Sequence, residues 1–255
     1  MIDSKSLERA PSEKPDSTLS QRALGEGFAE RRARARERLD AIDPHKRAGE
    51  SDPRRQEWFE AVYALAEGDP ASVPWAHLEP RPLLEDWLAS RSIAGLRALE
   101  VGCGLGDNAE ALARAGARVT AFDLVERAVQ WARERFPTSD VDYRVADLFN
   151  APKEWRGAFD FVHELYTLQA LPETLLPDAA RALASFVAPG GTLLVISRAR
   201  DDGEDLGGPP WPLARKDIES CAVDGLRLVS LEDIPANGDV ARHWRAEFRR
   251  AEAGA

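Results

Sequence analysis

The sequence predicts an α/β fold, a parallel sheet with helices on both faces, and three observations carry that expectation. A short apolar run, Leu96 to Val101, leads into alternating glycines at 102, 104 and 106, and Asn108 to Ala115 then reads as helix. From there strand-like and helix-like stretches take turns as far as Ser197. The second and third of those strands each end in an acid, Asp123 and Asp147. Right-handed crossovers place every parallel strand's C-terminal end along one rim, where ligands of such sheets bind.

Composition sets the bounds. The 255 residues suffice for one main domain with an appendage, and 44% hydrophobic residues is ordinary for a globular chain. A net charge of −10 argues against a surface built for bulk phosphate, so no nucleic-acid partner is expected. The two cysteines, Cys103 and Cys221, make no disulfide framework, which fits a reducing compartment. No apolar run approaches a membrane span and no hydrophobic signal core opens the chain, so a cytoplasmic location without membrane contact is expected.

Taken in order, residues 1–22 are polar and proline-bearing and read as a disordered tail. Residues 23–90 read as a helical N-terminal extension and lid, and residues 91–255 as the main domain. A helix from Ala23 carries Arg31, Arg32, Arg34, Arg36 and Arg38, offset in part by Glu30, Glu37 and Asp40. It reads as a solvated face rather than a nucleic-acid arm. Residues from Pro44 to Pro53 form a linker. Arg54 to Glu67 is a second helix, stopped by Gly68 and Pro70, and Arg81 to Ser90 is a third, with Pro82 in its first turn.

Between those helices, the loop Val73-Pro74-Trp75-Ala76-His77 offers two readings for Trp75. Its indole packs as part of a lid, or it faces a cationic ligand. In the main domain the expected strands are Leu96–Val101, Ala117–Phe122, Val141–Ala146, Phe159–Glu164 and Thr192–Ser197. Helices are expected over Glu126–Phe136 and Glu173–Val187, with a turn at Pro189-Gly190-Gly191. A short helix Lys216–Ala222 and strands Leu226–Glu232 and Val240–Arg250 follow, the last two joined by an Asn237-Gly238 turn. Cys221 reads as inert packing, and no histidine has metal-ligand spacing to a cysteine or acid pair.

The glycine loop lets backbone approach a ligand and aims helix N–H groups at it, while Asp107 occupies an N-cap position. A dinucleotide fingerprint would need a glycine at 107, which speaks against a nucleotide-cofactor oxidoreductase. Asp123, with Leu124 beside it, can accept both hydroxyls of a ribose, and Asp147-Leu148 suits an adenine amino group and ring.

The set Glu100-x-Gly102-x-Gly104-x-Gly106, Asp123 and Asp147 resembles the class I S-adenosylmethionine-dependent methyltransferases. The resemblance spans roughly Arg91 to Leu231 and implies a Rossmann-like, seven-stranded, mostly parallel sheet whose last strand inserts antiparallel. It also implies S-adenosyl-L-methionine as cofactor, its methionine end held by Glu100 and the loop residues Gly102, Cys103, Gly104 and Gly106. The Asn/Asp-Pro-Pro-aromatic stretch of enzymes acting on base amino groups is absent from Phe159–Tyr166. Pro74-Trp75, Tyr166-Thr167-Leu168-Gln169-Ala170-Leu171-Pro172, Gly207-Gly208-Pro209-Pro210-Trp211 and Trp244-Arg245 are similar to the thiopurine, halide and tellurite-resistance branch, which acts on small molecules.

That branch implies a soft acceptor, a thiol or selenol, needing in-line alignment and little general base. An oxygen or amine acceptor would need one, and His163, Glu164 and Tyr166 are then the candidates. Strand alternation leaves His163 open as a core histidine, and Glu164 as a liner of the cofactor or acceptor pocket. Trp75, His77, Tyr166 and Trp211 are expected around the acceptor. A monomer or weak homodimer is expected.

Overall fold

Five residues, Arg97–Val101, form β1, and four of them are buried, as a strand covered on both faces requires. The computed structural model describes residues 25–43, 55–204, 208–238 and 240–252. The expected tail 1–22, the linker 44–53 and Gly207 lie outside them. β1 runs parallel to β2 (Arg118–Asp123) on one side and β4 (Phe159–Leu165) on the other. β3 (Asp142–Val145) continues the sheet beyond β2, and β5 (Val187–Arg198) beyond β4, both parallel. β7 (His243–Arg250) inserts antiparallel between β5 and β6 (Leu226–Ile234), so the order is β3-β2-β1-β4-β5-β7-β6. The direction of winding reverses between β1 and β4, the place at the strands' C-terminal ends where sheets of this kind bind ligands.

Alternation along the strands supplies two cores. Leu99, Val101, Val162, Val195 and Phe248 pack against α6 (Leu176–Phe186) and α7 (Arg215–Glu219). Ala98, Ala121, Phe161, Leu194 and Ile196 face α3 (Pro82–Ala89), α4 (Asp107–Arg114) and α5 (Glu126–Arg135). Leu84 and Trp87 of α3 belong to this second core, with Trp87 stacked on Phe161 at 4.9 Å. The sequence groups α3 with the extension, but its apolar face is covered by the sheet.

A third core joins the extension to the domain. Leu39 of α1 (Gly25–Ile42), Val62 and Tyr63 of α2 (Gln56–Leu65), and Val73 and Ala76 pack on Leu105 of the glycine loop and on Val125 and Ala128. The arginine-rich α1 is therefore docked rather than solvated all round: Ala35 and Leu39 are buried, Arg31 meets Asp69 at 2.8 Å, and Arg32 donates to the Ala76 carbonyl.

Element bounds differ from expectation mainly around Val187. There the helix stops at Phe186, a 3₁₀ turn covers Glu173–Leu175, and Val187 is already extended opposite Phe159. β7 begins at His243 because Val240 bridges Asn237 instead. No helix among the described residues is long and apolar enough to cross a membrane, and none of their His, Cys, Asp and Glu side chains form a metal-binding group.

Candidate active site

The rim is built on the glycine loop. Gly102, Gly104 and Gly106 have φ of 65°, 52° and 92°, and a Cβ on Gly102 or Gly106 would lie 2.5 Å from the Thr167 or Tyr143 hydroxyl oxygen. Only glycine meets both demands. Gly106, not Asp107, stands at the N-cap; Asp107 is the first helical residue, and its carboxylate grips Arg135 at 2.7 and 2.8 Å. Cys103 turns its side chain into the second core, where burial pushes its thiol well up, so it presents only backbone to the rim.

Asp123 closes β2 with one oxygen accepting from Gly104 N at 2.9 Å and the other from Val125 N at 3.0 Å. Each oxygen keeps further acceptor capacity. Burial raises this carboxyl despite those N–H groups. Leu124 is half-buried beside it. Asp147 closes the third strand and accepts from Phe149 N at 2.9 Å, with Leu148 buried next to it.

Two expected site residues leave the rim. Glu100 and His163 lie opposite each other on β1 and β4, on the Ala98–Phe161 face, and His163 Nδ1 meets Glu100 Oε2 at 2.6 Å. Glu100 is 1% and His163 0% exposed, and His163 stacks over Phe161 at 6.5 Å. His163 is thus a core histidine, and Glu100, buried against it, turns a carboxylate oxygen to that ring.

Glu164 points to the other face and is also fully buried. Its Oε1 accepts from Leu168 N at 3.0 Å and from Thr167 N, which fixes the turn after β4. Burial raises it to about 7, against the lowering by those two N–H groups and by His163. A carboxyl in that place positions Thr167 and Leu168 through Oε1, while its Oε2 is buried without a hydrogen-bond partner.

Tyr166 stays at the rim. Its φ is +71°, a strained value for a non-glycine residue, and its N–H donates to Ile196 O at 3.1 Å. Its hydroxyl lies 2.7 Å from His243 Nε2, while His243 Nδ1 faces Ala241 O at 2.6 Å. The carbonyl demands a proton on Nδ1, so Nε2 is the acceptor and Tyr166 donates to it. Burial holds His243 below its ordinary value, with Arg198 and Arg81 adding to the effect. His243 carries no motif and sits in a charged strand, so nothing in the sequence singled it out.

Trp75 lies half-buried on the glycine loop. Its Nε1 donates to the Tyr63 hydroxyl at 3.1 Å, and a Cβ on Gly104 would sit 3.7 Å from that nitrogen. Trp58, Phe59 and Tyr63 surround it with ring centroids 5.5–5.8 Å away. Arg55, ion-paired with Asp43 at 2.6 Å, sits 4.1 Å over Trp58 and 5.7 Å from Trp211. Arg81 lies 4.8 Å over Tyr166. Partial desolvation, then the charges of Arg81, Arg32, Arg36 and Arg198, hold His77 down to about 4. The four expected aromatic residues thus gather in two groups, Trp75 with Trp211 around α2 and His77 with Tyr166 around Arg81.

Residues 98–191 match the family model described as a methyltransferase domain. Over that stretch the chain is similar to methyltransferase domains. A ubiquinone biosynthesis O-methyltransferase from Xanthomonas campestris pv. campestris (strain B100) is 42% identical over 122 residues, 47% of this chain and 50% of that protein. A second, from Xanthomonas euvesicatoria pv. vesicatoria (strain 85-10), is 40% identical over 123 residues. The chain spans about half the length of the curated relatives it matches.

Among solved structures, N-methyltransferase NodS from Bradyrhizobium japonicum WM9 with S-adenosyl-L-homocysteine matches at a TM-score of 0.60 and 23% identity. It covers 79% of this chain and 100% of that one. A structure described by the conversion of a disulfide bond into a thioacetal group in echinomycin biosynthesis gives 0.64 and 22%, covering 79% and 93%. Both likenesses concern the fold.

The chain's own residues fit the S-adenosylmethionine cofactor. The loop is bare of side chains at Gly102, Gly104 and Gly106, and Asp123 retains acceptor capacity where hydroxyl groups would approach.

Proposed function

We propose that this chain moves a methyl group from S-adenosylmethionine to a hydroxyl oxygen of a small molecule, with Tyr166 and His243 handling the proton. The observation that carries this reading is the Tyr166 hydroxyl donating to a neutral histidine nitrogen at the rim. The cofactor supplies a methyl group already activated on a sulfonium. The glycine loop and Trp75 bind its methionine end, Asp123 its ribose, and Asp147 with Leu148 its adenine.

Tyr166 then takes the proton of the acceptor hydroxyl as its own proton passes to His243 Nε2, and the Nδ1–H bond to Ala241 O orients the imidazolium that results. A sulfur or selenium acceptor, which the branch resemblance implies, is ionised more readily and would leave this pair without work. The names of the curated relatives also favour oxygen.

The test is methyl transfer from labelled S-adenosylmethionine across matched phenols, thiols and amines, with wild type and Tyr166→Phe. Turnover of phenols that falls in the variant by about 10²–10⁴-fold, with S-adenosylhomocysteine affinity kept, is the expected result. Faster turnover of thiols, untouched by Tyr166→Phe, would overturn the oxygen assignment.

A further inference from the structure

Several of the described arginines are matched with acids: Arg31 with Asp69, Arg91 with Glu247, Arg135 with Asp107, Arg200 with Asp217, Arg245 with Glu232. Four that converge on one side of the rim are not. Arg81 lies 4.8 Å over the Tyr166 ring. Arg198 ends β5 directly across from His243, the partner of Tyr166. Arg32 donates to the Ala76 carbonyl from α1 and leaves its Nε buried without a hydrogen-bond partner.

Arg36, one turn further along α1, is close enough to depress both Arg32 and His77. Among the described residues none of these four has a carboxylate within 4.0 Å, in a chain with 44 acids against 34 lysines and arginines. Like charges gathered on a partly buried rim repel one another, and an anion between them would relieve that repulsion.

The location separates this cluster from the ribose acid. Asp123 and the glycine loop stand at the ends of β2 and β1, whereas Tyr166, Arg198 and His243 stand at the β4, β5 and β7 ends, beyond the switch point. Two of the arginines come from the sheet domain side and two from the docked α1, so a ligand there is clasped by both. Guanidinium groups take carboxylate and phosphate oxygens in pairs of hydrogen bonds.

We propose that the methyl acceptor carries a carboxylate or phosphate group, and that Arg81 and Arg198 with Arg32 and Arg36 hold it beside Tyr166. This rests on the methyltransferase reading above and names the chemistry of its acceptor. The anion anchors one end of the molecule and leaves its hydroxyl to be turned toward Tyr166.

The test titrates 4-hydroxybenzoate and the uncharged 4-hydroxybenzamide into the full chain by calorimetry, with and without saturating S-adenosylhomocysteine. Benzoate binding at least about tenfold tighter than benzamide is expected, and Arg198→Gln should remove about tenfold of it while Arg198→Lys restores most. S-adenosylhomocysteine affinity should stay within about twofold in each variant. Equal affinity for the two probes, or none for either, overturns the proposal.

It is also overturned if the glutamine variants weaken S-adenosylhomocysteine but not 5′-methylthioadenosine, because the arginines would then be holding the cofactor's carboxylate. Failure of S-adenosylhomocysteine to bind at all would instead defeat the methyltransferase reading, and the probe contrast measured without it would still decide the anion site.

Discussion

Tyr166 and His243 are 77 residues apart in the chain and 2.7 Å apart in space, and the proton inventory of the site turns on that contact. His243 must be neutral to accept, and burial holds it below its ordinary value of 6.5. The acid limb of methyl transfer to a phenol should therefore have its midpoint below 6.5, where His243 protonates. His243→Asn should abolish this acid limb and lower the rate at pH 7.5; a pH–rate profile with each protein checks both. Glu164 predicts a dependence of opposite origin. Its folded value of about 7 lies above the ordinary 4.5, so the folded chain binds a proton there that the unfolded chain has lost. Stability is then fully present below pH 4.5, declines as pH rises through about 7, and is lower by up to about 3 kcal/mol at pH 8. Urea denaturation at pH 5 and pH 8 should show that difference, and Glu164→Gln should reduce it. At this scale Asp123, the three glycines and Tyr166 were legible because their residue types and spacing state a backbone or polar need. The places of His163 and Glu164 stay open in the sequence because a strand written Phe161-Val162-His163-Glu164-Leu165 does not say which face is covered at its end, and here both are.

The extension made of α1 and α2 is held on the domain by the third core, and its two helices are tied to each other by one buried ion pair. Arg55 and Asp43 are each 3% exposed in their side chains and meet at 2.6 Å, and Arg55 adopts φ 55° to do so. Breaking a buried pair of this kind costs up to about 3–5 kcal/mol. Asp43→Asn should therefore loosen α1 and α2 while leaving the sheet intact. Hydrogen exchange should accelerate across residues 27–42 and 56–65 and stay slow in β1, β4 and β5; uniform acceleration would mean that the extension and sheet unfold as one unit. The strands themselves were legible from their apolar runs and closing acids. The role of α3 was not, since Leu84 and Trp87 give the same helical periodicity whether a lid or a sheet covers them. The arginines of α1 were equally silent, because the sequence shows their number but not that Arg32 reaches the Ala76 carbonyl or that Arg31 finds Asp69.

Across the whole molecule, the winding reversal sets the acids proposed for the cofactor on one side and the tyrosine, histidine and arginines on the other. The glycine loop lies beneath Trp75, so the cofactor site is shared between two cores, and a ligand in it should tie them together. A ligand that binds only the folded chain adds about 2.7 kcal/mol of stability at a hundredfold excess over its dissociation constant, and a chain of this size shifts about 2–4 °C per kcal/mol. S-adenosylhomocysteine should accordingly raise the melting midpoint by roughly 5–10 °C, and NAD by nothing measurable, since Asp107 stands where a dinucleotide loop needs glycine. Asp123→Asn keeps one acceptor oxygen for the loop N–H groups but cannot accept from two ribose hydroxyls as well, so S-adenosylhomocysteine affinity should fall by about 1–3 kcal/mol. The decisive comparison is between that variant and Arg198→Gln. If the rim is divided as the strand ends divide it, the first loses the thermal shift from S-adenosylhomocysteine and the second retains it, whereas loss in both would mean that the arginines and Asp123 serve one ligand.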